Sequence, residues 1–228
     1  MPLVETPVVY PDSDGLPMAD NTRQFEWIVY IKKGLDVVFV ADPTVFVAGD
    51  LLWYPVEGRP DLRAAPDAMV VFGRPKGDRG SYQQWKEDNK PPAVVFEVLS
   101  PGNTPSEMTR KFSFYERHGV EEYYIYDPDR LTLTGFTREG QFLADVPAMP
   151  GWASPRLGVR FDLDADGNLE LFRPDGRRFE TFEALTERAE RAEQLAEQAV
   201  QRAEQAEQRA ARLAELLRQQ GIDPKDLA

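Results

Sequence analysis

Residues 93–127 read AVVFEVLSPGNTPSEMTRKFSFYERHGVEEYYIYD, and this stretch decides the fold. Ala93–Leu99 is an apolar run of strand length interrupted by a single acid, Glu97, and such a run without polar alternation suits a strand buried on both faces. Glu107–His118 then reads as a helix stopped at Gly119, and Glu121–Asp127 as an apolar, aromatic strand. Towards the N-terminus, Val45–Tyr54 and Ala68–Phe72 have strand composition. Asp20-Asn21-Thr22 can cap a helix over Arg23–Gly34 with Phe25, Ile28, Val29 and Ile31 on its apolar side. Towards the C-terminus, Leu131–Phe136, Arg156–Leu163 and Asn168–Phe172 read as short antiparallel strands, the last two joined by the hairpin signal Asp166-Gly167. A helix, three strands, a helix and a strand predict a mixed α/β layer with a β extension.

The last fifth of the chain changes character. Leu185, Ala189, Ala192, Ala196, Ala199, Ala203, Ala206, Ala210, Leu213 and Leu217 follow a strict 4,3,4,3 spacing with Glu, Gln and Arg between them, which is a heptad seam. Gly221 is the expected stop, with Ile222 and Pro224 in the tail. Alanine favours the helix but buries little area, so a weak homo-oligomer through this helix, at least a dimer, is expected. The expected division is a core over 1–182, a coiled-coil helix over 183–220 and a tail over 221–228.

Composition narrows the chemistry. The 228 residues carry 39 acidic and 27 basic side chains, a net charge of −12, with 42% hydrophobic residues, one histidine and no cysteine. Disulfides, thiolate nucleophiles and multi-histidine zinc sites are therefore excluded, and diffuse attraction to nucleic acid is disfavoured. No apolar run approaches the roughly 18 residues a membrane span needs, and MPLVETPVVYPDSDG lacks the basic and apolar regions of a signal peptide. A cytoplasmic protein without a membrane partner is the expectation.

Two carboxylates stand out. Asp67 follows Pro66 at the start of an apolar strand, and Glu97 lies inside one. A buried, unpaired carboxylate is costly, so Glu97 requires a cation, a hydrogen-bond network or a metal. If adjacent strands bring the two acids together, their oxygens suit Mg²⁺ or Mn²⁺ and metal-assisted hydrolysis of a phosphodiester. Lys111, on the following helix, can return over the sheet and place an ammonium near the scissile phosphate. Asp50, in VAGDLLWYP, is a further candidate ligand.

At PDAMVVF, FEVLSPGNT and RKFSFYERHGVEEYYIYDPD the sequence resembles the Uma-two family of restriction-endonuclease-like proteins, a branch of the PD-(D/E)XK nuclease superfamily, over about residues 15–180. The resemblance implies a restriction-endonuclease-like mixed-sheet core, with Asp67 as the PD aspartate and Glu97 as the metal-binding acid. The usual lysine position is Leu99, and Lys111 on the next helix takes its place. It further implies a Mg²⁺-dependent endonuclease with DNA as substrate. The alternative is a non-catalytic module with a nuclease-like fold that recruits a partner through its coiled coil.

Three other features have a reading. Gly73–Lys90 interleaves Arg74, Lys76 and Arg79 with Tyr82 and Trp85, a composition suited to phosphate contact and base stacking. Asp162, Asp164, Asp166 and Gly167 imitate the start of a calcium loop, but Arg173 occupies its twelfth position, so a hairpin turn is expected. His118 is expected to cap its helix and to interact with the helix dipole.

Overall fold

The computed structural model describes residues 8–13, 15 and 19–219. Gly221, the tail and most of the N-terminal segment considered above lie outside them. The chain forms two compact units, one ending at Phe179 and the other beginning at Glu180.

The first unit is built on a six-stranded mixed sheet. In chain order it contains α1 (Thr22–Val38), β1 (Val45–Ala48), β2 (Trp53–Tyr54), β3 (Ala68–Phe72), β4 (Tyr82–Gln83), β5 (Val94–Val98), α2 (Pro105–Arg117), β6 (Glu122–Asp127), β7 (Thr132–Glu139) and β8 (Phe142–Asp145). A hairpin of β9 (Arg160–Leu163) and β10 (Leu169–Phe172) completes it. The sheet order is β1-β3-β5-β6-β7-β8, and only β5 and β6 run parallel. Parallel neighbours need a long crossover, and α2 supplies it.

Both faces of the central strands are covered. Ala68, Val70, Val94, Phe96 and Val98 pack with Ile28, Ile31 and Leu35 of α1 and with Phe161, Leu169 and Leu171 of the hairpin. Met69, Val71 and Val95 point the other way, against Tyr115 of α2, Trp53 and Tyr82. The alternation is that of a pleated strand buried on two sides, and it carries Asp67 and Glu97 to the α2 face.

Local chemistry sets the helix ends. Asn21 caps α1 by accepting the Gln24 N–H at 2.9 Å, and Thr104 caps α2, followed by Pro105 in the first turn, so α2 starts earlier than Glu107. Phe25, expected on the apolar side of α1, is 46% exposed; the buried stripe runs instead through Gln24, Ile28, Ile31 and Leu35. The expected strand Val45–Tyr54 is two strands, because the chain breaks at Gly49-Asp50, where Asp50 adopts a φ of +48°. Asp164 accepts the N–H groups of Asp166 and Asn168 at 2.9 and 2.8 Å, making the acid-rich segment a hairpin turn.

The second unit contains one helix, α3 (Phe182–Gln219). No described helix is long and apolar enough to cross a membrane.

Gly34 shows how closely α1 is seated. A Cβ there would stand 1.8 Å from Cδ2 of the buried Phe179 ring. Gly34→Ala should therefore destabilise the first unit by about 2 kcal/mol, against the gain of roughly 1 kcal/mol in helix propensity. Urea denaturation followed by circular dichroism checks the sign.

Candidate active site

The antiparallel ladder pairs Val70 with Val94, Met69 with Val95 and Ala68 with Phe96. Continued by one residue, it sets Asp67 opposite Glu97. Both acids are buried, Glu97 at 2% exposure and Asp67 at 8%. The Val98 N–H donates to Asp67 Oδ2 at 2.6 Å, so the β5 backbone holds this side chain.

Glu97 is gripped from α2. Lys111 Nζ lies 2.7 Å from Oε2, and the Tyr115 hydroxyl donates to Oε1. Lys111 and Tyr115 stand one turn apart on one helix face, so both reach the same strand residue. Tyr123, across the β5–β6 pairing from Val95, shares this face. Its fully buried hydroxyl has no hydrogen-bond partner among the described residues.

The electrostatics follow from burial. Desolvation first, and the Glu97 charge next, push the Asp67 carboxyl well above the usual carboxylate range; Lys111 and the Val98 N–H pull it down less. Burial lowers the Lys111 ammonium, but Glu97 and Asp67 outweigh it and hold the group above its ordinary value. The two carboxylates thus favour the charged form of Lys111. Burial, followed by the charge of Glu97, raises the Tyr115 and Tyr123 hydroxyls, so both stay protonated.

Two hard oxygen donors in mutual repulsion fit a divalent cation, which Asp67 and Glu97 would hold. Among the described residues no three acidic or histidine side chains form a ready-made cage. Asp50 is close enough for its charge to raise Asp67, and its N–H donates to Pro66 O at 3.1 Å, but it does not complete such a cage.

In Gly73–Lys90, Arg74, Lys76, Arg79, Tyr82 and Trp85 are engaged within the protein. Arg74 and Arg79 both pair with Glu87, at 2.8 and 2.7 Å, and Arg79 lies over the Phe46 ring. Lys76 donates to the Phe39 and Val40 carbonyls. Tyr82 is a core residue whose hydroxyl donates to Lys90 O, so its ring is unavailable for base stacking, while Trp85 packs against Tyr10. His118 does cap α2, but burial lowers its pKa, and the neutral ring packs against Phe114 and Trp53 instead of answering the helix dipole as a cation.

Sequence reasoning missed Tyr115 and Tyr123, which look like core aromatics in RKFSFYER and EEYYIYD. The available signal was the four-residue spacing from Lys111 to Tyr115.

The profile of a family described as "Putative restriction endonuclease" matches residues 21–166. The chain belongs to this Uma-two family. The matched span contains Asp67, Glu97, Lys111, Tyr115 and Tyr123. The fold is similar to the crystal structure of a putative nuclease belonging to DUF820 from Anabaena variabilis ATCC 29413, at 16% identity and a TM-score of 0.44, covering 61% of this chain and 74% of that one. No curated protein matches the sequence.

Lys111 is 23% exposed, yet its partner is almost wholly buried. Lys111→Met strands the Glu97 charge and should cost about 2–4 kcal/mol of stability, whereas adding Glu97→Gln should recover much of it. A double-mutant cycle in urea measures both; equal stabilities for Lys111→Met and the parent contradict the pairing.

Proposed function

We propose that this chain hydrolyses DNA phosphodiester bonds with Mg²⁺ or Mn²⁺ held by Asp67 and Glu97. The observation that carries this reading is that Asp67 and Glu97 face each other from paired, buried strands while Lys111 of α2 reaches Glu97 at 2.7 Å. When bound, the ion supplies a Lewis acid and lowers the pKa of a coordinated water, the usual route to a nucleophile for phosphodiester hydrolysis.

The remaining chemistry belongs to the chain. Asp67 is fixed by the Val98 N–H and Glu97 by Tyr115, so neither carboxylate must reorganise as the substrate arrives. Lys111 presents an ammonium to the negative charge that develops on the phosphate. Tyr123 leaves a buried hydroxyl, unpartnered among the described residues, on the same sheet face. A chain without cysteine suits a reducing compartment, and the cytoplasm is where such an enzyme meets DNA.

Loss of a preorganised cation beside a developing charge costs about 3 kcal/mol, or roughly a hundredfold in rate. Folded Lys111→Met should therefore nick supercoiled plasmid about a hundredfold more slowly than the parent in Mg²⁺, and Glu97→Gln should lose Mn²⁺ binding in calorimetry. Unchanged binding removes Glu97 as a ligand. A folded, Mn²⁺-binding parent that cleaves no nucleic acid favours the non-catalytic interaction module.

A further inference from the structure

α3 leaves large apolar side chains in water. Leu195, Val200, Leu213 and Leu216 are 66%, 58%, 60% and 50% exposed. In the heptad register of the alanine seam, Leu213 lies on the seam itself, and the other three occupy the positions that flank it. These flanks also separate charge by sign: Arg188, Leu195, Arg202, Arg209 and Leu216 line one side, and Glu193, Val200, Glu207 and Ala214 line the other.

We propose that the occupant of this face is a second copy of the chain, aligned parallel and in register as a two-stranded coiled coil. In that orientation a flanking residue on one helix meets the residue five positions later on its partner. Arg188 then faces Glu193, Leu195 faces Val200, and Arg202 faces Glu207, each meeting charge with opposite charge or apolar with apolar. An antiparallel pair sets each flank against its own kind, arginine side to arginine side and glutamate side to glutamate side.

The charges have no competing use along their own helix. Three and four residues from Arg202 stand Gln198, Ala199, Gln205 and Ala206, without an acid; around Glu207 stand Ala203, Glu204, Ala210 and Ala211, without a base. Off the seam, by contrast, Glu187 and Arg191 form an ordinary i,i+4 pair. Arg188 bonds Glu180 at 2.9 Å within the single chain, so Arg202 with Glu207 is the decisive pair. The inference is independent of the nuclease reading, since it uses only α3.

The cysteine-free chain makes orientation directly measurable. Ala189→Cys and Ala210→Cys, each made singly in the full-length protein and oxidised, should both give a disulfide-linked dimer, because parallel helices place equivalent seam positions side by side. In an antiparallel pair each cysteine lies well over 20 Å from its equivalent at about 1.5 Å per residue, so neither variant cross-links. Glu207→Arg should raise the dimer dissociation constant in ultracentrifugation roughly tenfold, and Arg202→Glu combined with Glu207→Arg should restore it. A monomeric or trimeric parent, a dimer in which neither cysteine variant cross-links, or no rescue by the charge swap overturns the proposal.

Discussion

Glu97 is the constraint on which the first unit depends. An ionised carboxylate at 2% exposure in a central strand costs several kcal/mol unless its oxygens are occupied by donors. Lys111 and Tyr115 occupy them, and both come from one face of α2. α2 must therefore cross the sheet with that face over β5. The same helix is the crossover that makes β5 and β6 parallel, so the topology of the sheet and the electrostatics of the site rest on one contact.

A second buried acid shows why burial alone does not mark a site. Glu122, also at 2% exposure, accepts from the Ser154 and Tyr124 hydroxyls and from the Arg156 N–H. These donors anchor residues 154–156 to β6 and satisfy the carboxylate where it lies. Burial raises its pKa, and the neighbouring groups all act to lower it. Asp67 differs, because after desolvation its strongest influence is another carboxylate, a repulsion that an added cation would relieve.

Much of this arrangement was legible in the sequence. AVVFEVL announced a doubly buried strand and made its acid conspicuous, and the family resemblance joined that acid to Asp67 and Lys111. What local pattern could not supply was pairing register, which decides that Asp67 stands opposite Glu97. Nor could composition reveal that Arg74 and Arg79 face Glu87 rather than solvent, since a charge run looks the same whether its counterions are neighbours or water. Tyr82 failed for a related reason: an aromatic among polar residues looks exposed until a partner strand buries it. The break at Gly49-Asp50 was hidden because the segments on either side, Val45–Ala48 and Trp53–Tyr54, both have strand composition.

An acidic protein that acts on a polyanion needs its attraction to be local. The formal charges of Asp67, Glu97 and Lys111, two negative and one positive, sum to −1, and a divalent cation changes that sum to +1. For the hydrolysis proposed here, the added positive charge would draw a phosphate to the site against a background of −12 for the chain. With the arginines of Gly73–Lys90 already paired, one such site gives a weak grip on a duplex. The parallel coiled coil proposed above would tether two copies at the same end of their helices, so that binding of the first would raise the effective concentration of the second on the same DNA. That gain would come from linkage rather than from new contacts, which suits an acidic chain in the proposed reaction on DNA.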